Sequence, residues 1–204
     1  RPPLYPLSVA VCTFCGGTVG LAAMQILLGT ATCGLAWAFA SRLQLSEKAR
    51  CLAAVAVAVD PLLLLYTSHA MTETLVTFLV SLLLVLLAGK RSVRSSALAG
   101  VVFGLAALCR PSLWAFGVLV AGGSLIQLLR GKSEQAVRTE WLRLGIPTVL
   151  AVLVTIAPWA IRNSLVFGRP IVMTTHGGYT LLLANNPVFF REVVDGGRVW
   201  SGES

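Results

Sequence analysis

Long apolar runs alternate with short polar segments over the first 162 residues. A helix needs about 17–25 mostly apolar residues to span the hydrocarbon core of a bilayer. Six runs are near that length or somewhat shorter: residues 18–40, 51–67, 71–89, 96–109, 113–129 and 144–161. A still shorter run, residues 7–14, follows Pro2, Pro3 and Pro6 and ends at Gly16-Gly17, which predicts an interfacial or half-buried helix. The pattern therefore predicts an all-α polytopic membrane protein with about six transmembrane helices.

The pattern changes after residue 162. Residues 163–204 contain turn-forming glycine, proline and asparagine, including Gly177-Gly178 and Asn185-Asn186-Pro187, and residues 171–175 have the composition of a short strand. We therefore predict a transmembrane module over residues 1–162 and the start of an extracytoplasmic region over residues 163–204. Because the chain opens on Arg1 and stops within a polar run, we expect it to be a fragment of a longer polypeptide.

Composition supports the membrane assignment: 56% of residues are hydrophobic and 12% are charged, which is too apolar for an ordinary soluble domain. The formal net charge is +8, but no stretch interleaves basic and aromatic residues as a nucleic-acid groove does. The charge instead suits topology and anionic membrane lipids. The five cysteines lie in or beside apolar runs, and Cys12-Thr-Phe-Cys15 lacks the βαβ context of a redox motif; we interpret them as packing residues.

The basic residues predict an orientation. Ten of the sixteen lie after the first, third and fifth runs, so these loops are expected to face the cytoplasm. They are Arg42, Lys48, Arg50, Lys90, Arg91, Arg94, Arg130, Lys132, Arg138 and Arg143. Six crossings then place Arg1, Glu73, Arg110, Arg162 and the C-terminal segment together on the outer side.

Two acidic residues interrupt the apolar pattern. Glu73 stands at the start of a long apolar run, so it is either an acid of a site at the membrane surface or a helix-start residue, with Thr72 or Thr74 as the cap. Asp60 precedes Pro61 inside the second run, where proline is expected to kink the helix. Asp60 is either a structural hydrogen-bond anchor or a cavity-lining residue.

Arg110 stands between two apolar runs and is joined directly to Pro111. A guanidinium at this place suits a phosphate by charge and by the geometry of its N–H groups. Snorkelling to the lipid headgroups is an equally good explanation on physical grounds. Signatures of nucleotide-binding loops, zinc sites and nucleophile elbows are absent, and His69 and His176 are the only histidines, so no metal cluster is predicted.

Several segments, in order, resemble the GT-C class of membrane glycosyltransferases, in particular the group with the dolichyl-phosphate-mannose protein mannosyltransferases and the lipid A aminoarabinose transferase. The matching segments are Arg1-Pro-Pro-Leu-Tyr-Pro6, Thr72-Glu73-Thr74-Leu75-Val-Thr-Phe78, Gly104-Leu-Ala-Ala-Leu-Cys-Arg110-Pro111, Pro158-Trp159-Ala-Ile-Arg162-Asn163, and Gly177-Gly178-Tyr179 with Asn185-Asn186-Pro187. Each segment alone is weakly specific, and together they indicate the family rather than a subfamily.

The resemblance implies transfer of a hexosyl or pentosyl group from a polyprenyl-phosphate donor to a lipid, glycan or protein acceptor, at the outer face of a membrane such as the bacterial inner membrane. It implies that Arg1 and Arg110 contact the donor phosphate and that Glu73 is an acid near the donor. Asp60, His69, Arg162, Asn163 and His176 are further candidates to line the site.

The family's principal catalytic aspartate precedes its Pro-Pro element, so we expect this fragment alone to be inactive. Some relatives use a divalent metal, which Glu73 could help to bind, although one carboxylate is not a metal site. Two other functions stay open. A transporter or flippase module would use Asp60, Pro61 and Glu73 as a polar pathway, and a non-catalytic membrane subunit would need none of these roles.

Overall fold

The computed structural model describes residues 2–129, 135–172, 182 and 185–197, and the regular structure within these residues is entirely helical. The predicted strand over residues 171–175 is not formed at Ile171 and Val172, and its other residues lie outside the described part. The helices are α1 (Leu4–Arg42), α2 (Glu47–Ala58), α3 (Pro61–Ser68), α4 (Glu73–Leu87), α5 (Val93–Cys109), α6 (Leu113–Leu129) and α7 (Gln135–Phe167). A single turn, α8 (Pro187–Phe189), leads into a π-helical turn at Phe190–Asp195.

Helices occur at all six predicted positions, but fewer have the length of a bilayer crossing. Among the described residues, α1 and the Leu142–Phe167 part of α7 are long and apolar enough to cross a membrane. The pair α2 and α3, bent by 46° at its break, is a third candidate span. Helices α4 and α5 are apolar but shorter. The predicted all-helical architecture is therefore confirmed for the described residues, and it contains two or three candidate membrane spans rather than a demonstrated six.

Helix α1 is a hairpin of two helical arms rather than one rod. Gly16 (φ −166°, ψ 16°) and Gly17 (φ 60°, ψ −144°) depart from helical geometry, and glycine adopts the positive φ without steric cost. Residues 4–15, the N-terminal arm, turn back along residues 18–42, the long arm. Cys12 Sγ accordingly lies 3.4 Å from Met24 Sδ. The short helix predicted before the first crossing is confirmed as a separate segment.

The break between α2 and α3 is built by Asp60 and Pro61. The Asp60 carboxylate accepts hydrogen bonds from the backbone N–H groups of Leu62 and Leu63, both at 2.9 Å. Pro61 occupies the first helical position of α3, where a missing N–H costs nothing. Of the two roles that the sequence left open for Asp60, the structure shows the structural one, as the N-cap of α3.

The most extensive helix packing among the described residues is between α5 and α7, which run parallel. The Thr148 hydroxyl donates to the Ser96 carbonyl at 3.1 Å, Gly100 faces Thr148 and Ala151, and Gly104 faces Thr155. Because residue numbers rise together along the two helices at these contacts, the helices point in the same direction. The small residues Gly100 and Gly104 thus allow the close approach of α5 to α7.

Helix α4 runs parallel to the long arm and antiparallel to α5. Its C-terminal end meets the long arm where Arg42 lies beside Gly89, and its N-terminal end meets the C-terminal end of α5. The buried core joins the N-terminal arm, α4 and α5 through Tyr5, Leu75, Leu79, Leu83, Ala99, Val102, Ala106 and Cys109. The start of α4 and the ends of α3, α5 and α7 therefore share one end of the bundle, called the site end below.

Candidate functional site at one end of the bundle

The sequence after α5 fixes the position of Arg110. A residue before proline is disfavoured in the helical conformation, and Arg110 accordingly takes extended angles (φ −139°, ψ 106°). Its N–H still donates to the Ala106 carbonyl at 2.8 Å, so the helix ends cleanly at Cys109. The Arg110 side chain is 50% exposed and projects from the site end.

Glu73 is the first residue of α4, and its side chain is 22% exposed. The prediction of a helix start here is confirmed, and a carboxylate complements the positive end of the helix dipole. Thr72 occupies the cap position as predicted, but neither it nor Thr74 caps the helix with its side chain. Thr72 already has helical angles (φ −71°, ψ −19°) and makes no side-chain cap bond, while the buried Thr74 hydroxyl has no partner.

The Thr72 hydroxyl instead donates to Glu73 Oε2 at 3.3 Å. The other carboxylate oxygen, Oε1, lies 3.3 Å from Arg110 Nη1, so an ion pair joins the start of α4 to the end of α5. Because half of Arg110 is exposed, such a pair contributes only about 0–1 kcal/mol to stability. Both carboxylate oxygens are engaged, whereas the guanidinium keeps N–H donors on its exposed side.

A buried polar layer lies beneath this ion pair. The thiol of Cys109, a residue 2% exposed, is 4.0 Å from the Thr72 carbonyl. Gln25 of the long arm is also 2% exposed. Its Nε2 donates to the His69 carbonyl at 2.7 Å and to the Tyr5 hydroxyl at 3.4 Å. Sequence reasoning missed Gln25, although an amide inside an otherwise apolar run was a usable signal.

Asp60 and His69 flank α3 at its two ends and differ in their relation to the site end. The exposed His69 ring folds back on its own helix, with Nδ1 2.9 Å from the Leu65 carbonyl and 3.1 Å from Ser68 Oγ. Asp60 is separated from His69 by α3, whose eight residues make it about 12 Å long at ~1.5 Å per residue. The structure therefore brings the His69 backbone to the site and leaves Asp60 at the break.

Arg162 and Asn163 lie at the site end of α7. The Arg162 guanidinium lies 5.0 Å from the Trp159 ring centroid and donates to Asn163 Oδ1 at 3.1 Å. Asn163 is 3% exposed. The helix continues through both residues to Phe167 instead of ending at residue 161 as predicted. Arg1 and His176 lie outside the described residues.

An apolar groove of about 460 Å³ lies between the long arm, the end of α2, α3 and the start of α4. Its walls include Ile26, Leu63, Leu64 and Thr74, the residue that follows Glu73. Within the described ranges, histidine, cysteine and acidic side chains do not assemble into a group of three that could hold a metal ion. The groove therefore reaches the first turn of α4, the turn that also carries the acid of the ion pair.

Comparisons with family models, with curated proteins and with solved structures found no match to this chain. Any functional assignment must therefore come from the site and the sequence motifs themselves.

Proposed function

We propose that this chain forms part of a membrane glycosyltransferase of the GT-C class, which moves a sugar from a polyprenyl-phosphate donor to an acceptor at the outer face of the membrane. The observation that carries the proposal is the Arg110–Glu73 contact at 3.3 Å. It joins two of the segments on which the family resemblance rests, although they are 37 residues apart in the chain.

The proposed topology has six crossings, with α2 and α3 counted as one bent crossing. The basic segments between α1 and α2 and between α4 and α5 then lie together on the cytoplasmic side, as lysine and arginine prefer. The contact of Arg42 with Gly89 joins these two segments, and the ion pair lies at the opposite end of α4. This topology places the Arg110–Glu73 pair on the outer side of the membrane.

In the proposed donor complex, the exposed side of Arg110 binds the phosphate, because a guanidinium offers two parallel N–H donors to two phosphate oxygens. The groove beside Thr74 receives part of the polyprenyl chain, for which its apolar walls are suited. Arg1, which the family resemblance aligns with a phosphate contact, is proposed as a second cation.

The reaction breaks the bond between the anomeric carbon and the phosphate oxygen, and polyprenyl phosphate leaves with the bonding electrons. An acceptor oxygen or other nucleophilic atom forms the new bond and gives up its proton. Arg110 stabilises the charge that develops on the leaving phosphate. Since both oxygens of Glu73 are engaged, we propose that this carboxylate orients Arg110, and we assign no residue of this chain as the general base.

A polar transport pathway finds no comparable support at Asp60. Its carboxylate is committed to two backbone N–H groups of α3, so the break at Pro61 is sufficient reason for an acid at this depth. The glycosyltransferase is therefore preferred to the transporter and to a non-catalytic subunit.

The test uses membranes containing the protein expressed from its complete natural gene. Binding is measured with a photo-crosslinkable polyprenyl phosphate, and transfer is measured with a panel of radiolabelled polyprenyl-phosphate sugars. We expect Arg110→Ala to lower both crosslinking and transfer by about ten- to a hundredfold, the value of a hydrogen bond to a charged group. Arg110→Lys should retain only part of the wild-type crosslinking and transfer, because lysine keeps the positive charge but lacks the paired N–H donors of the guanidinium.

The matched control is Arg169→Ala, which removes another exposed arginine of the proposed outer side and should leave crosslinking and transfer unchanged. Wild-type levels of both in Arg110→Ala would overturn the assigned phosphate site. An absence of transfer from every donor by the wild-type protein, together with an absence of crosslinking, would overturn the proposed function.

A further inference from the structure

Gln25 is an unusual residue for its surroundings. It lies in the long arm of α1, and it is one of the two largest fully buried side chains among the described residues. Burial of an amide in an apolar environment is unfavourable unless its polar atoms find partners. Gln25 Oε1 has no partner, so an apolar residue of similar shape would avoid that cost. The reason for an amide here must lie in what its N–H groups hold.

The N–H groups of Gln25 hold the connection between α3 and α4. The shorter bond, 2.7 Å, goes to the His69 carbonyl. That carbonyl also accepts the backbone N–H of Met71 at 2.8 Å, so the turn after α3 closes on the atom that Gln25 fixes. A carbonyl can only accept a hydrogen bond, which settles the orientation of the amide.

The same connection ends at the ion pair. Thr72 donates its hydroxyl to Glu73, and its carbonyl lies near the Cys109 thiol and accepts the N–H of Val76 at 3.0 Å. Only residues 70–72 separate the atom held by Gln25 from the carboxylate that holds Arg110. A displacement of the His69 carbonyl is therefore transmitted to Glu73 over a very short length of chain.

We infer that Gln25 is a positioning residue, whose buried amide holds the His69–Thr72 connection and thereby aims the Glu73 carboxylate at Arg110. For its effect on catalysis this inference rests on the proposed function. The mechanical part of it, that the amide fixes the connection, stands on the hydrogen bonds alone and has a separate test.

The decisive variant is Gln25→Glu, because its hydrogen-bonding capacity depends on protonation. A neutral carboxyl group can donate its O–H to the His69 carbonyl, whereas a carboxylate cannot donate at all. Burial favours the neutral form, so lower pH restores the donor. We expect transfer by Gln25→Glu to be about tenfold below wild type at high pH, since small misplacements in a site cost that much or more, and to approach wild type as the pH falls.

Other titratable groups near this position are Tyr5 on the N-terminal arm, His69 on the connection, Glu73 on α4 and Cys109 on α5. They are present in both proteins, so the measured quantity is the ratio of variant to wild-type activity at each pH. Gln25→Met fills similar space without any donor, and its ratio should stay low at every pH.

A readout independent of catalysis is hydrogen exchange of the backbone amides of residues 70–73. We expect Gln25→Met to speed this exchange severalfold, and most of all at Met71, whose N–H shares the His69 carbonyl. The matched control is Ser8→Ala, which removes a half-buried polar group of α1, one that donates to the Leu4 carbonyl of its own helix. It should leave both exchange and transfer unchanged.

Recovery of Gln25→Glu at low pH, with faster exchange in Gln25→Met, supports the inference. Unchanged exchange in Gln25→Met overturns it. The inference is also overturned if Gln25→Glu loses the same fraction of transfer at every pH and has a lower thermal midpoint. That result would mean that Gln25 stabilises the fold without positioning Glu73. If the wild-type protein transfers no sugar, the proposed function fails, and the exchange measurement alone decides whether Gln25 holds the connection.

Discussion

Asp60 and Arg110 are charged residues in apolar surroundings, each followed by proline, yet they have different roles. The proline forces both into extended backbone angles. The short aspartate side chain reaches only the N–H groups of the helix that follows it, and its charge is used there. The long arginine side chain reaches across to α4. The role of Asp60 as a helix cap can therefore be predicted from its neighbours in the sequence. The partner of Arg110 cannot, because it depends on how α4 and α5 pack.

The role of Asp60 predicts a difference between two substitutions. Asparagine can accept the same N–H bonds at a helix cap, whereas alanine accepts none. Replacing a capping residue by alanine typically lowers the free energy of unfolding by about 0.5–2 kcal/mol. We therefore expect Asp60→Ala to lower the thermal midpoint of the purified protein and Asp60→Asn to leave it nearly unchanged. Asp60→Asn should also retain sugar transfer.

The same pair of variants separates a structural acid from an acid on a transport pathway. A pathway needs the charge or the proton of Asp60, both of which Asp60→Asn removes. Loss of the protein's activity in Asp60→Asn, with the thermal midpoint unchanged, would contradict the structural role.

At the scale of helices, the sequence predicted the breaks better than the partners. Gly16-Gly17 and Asp60-Pro61 were identified as interruptions because their backbone requirements are local. The contact of Tyr5 with Gln25 depends on how far the N-terminal arm folds back, which no local signal determines. Gly100 and Gly104 are small enough for a close helix approach, but nothing near them in the sequence indicates that the neighbour is α7, two helices later in the chain.

The packing of α5 on α7 predicts that Gly100 cannot be enlarged. A Cβ atom at this position would collide with the Thr148 carbonyl and lie 2.9 Å from the Ala151 Cβ, so backbone as well as side chain must move. Overpacking of this kind costs about 1–3 kcal/mol or more. We expect Gly100→Leu to lower the thermal midpoint strongly and, by shifting α7, to weaken crosslinking of polyprenyl phosphate.

The control for this prediction is Gly34→Leu in the long arm. A Cβ atom at Gly34 meets nothing within 4 Å, and leucine has a higher helix propensity than glycine. Gly34→Leu should therefore not destabilise the protein. Equal thermal midpoints for Gly100→Leu and Gly34→Leu would show that α5 and α7 are not packed through Gly100.

At the scale of the whole molecule, the lengths of α4 and α5 fit two arrangements, two short membrane crossings or a re-entrant hairpin. Helix α4 has 15 residues and α5 has 17, which is shorter than the roughly 20 residues of an ordinary span. Both pack in the core of the described bundle, where Leu75, Leu79, Ala99 and Ala106 are buried. Their apolar runs correctly predicted helices, and the two arrangements have the same hydropathy, so a measurement of sidedness is needed to choose between them.

Cysteine labelling from each side of sealed membrane vesicles distinguishes these arrangements. In a protein with the exposed cysteines replaced (Cys15→Ser and Cys51→Ser), single cysteines are introduced by Leu45→Cys, Ala70→Cys, Arg91→Cys and Ser112→Cys, all at exposed positions. Six crossings require positions 70 and 112 to react from the outer side, and positions 45 and 91 from the cytoplasmic side.

The outcome at Arg91→Cys carries most of the information. If position 91 reacts from the same side as positions 70 and 112, α4 and α5 form a re-entrant hairpin, and the proposed six crossings are reduced to four. The Arg110–Glu73 pair would still lie on one side, because both ends of such a hairpin face the same compartment. If instead positions 70 and 112 react from opposite sides, the 3.3 Å contact of Arg110 with Glu73 cannot exist in the membrane, and the phosphate site fails with it.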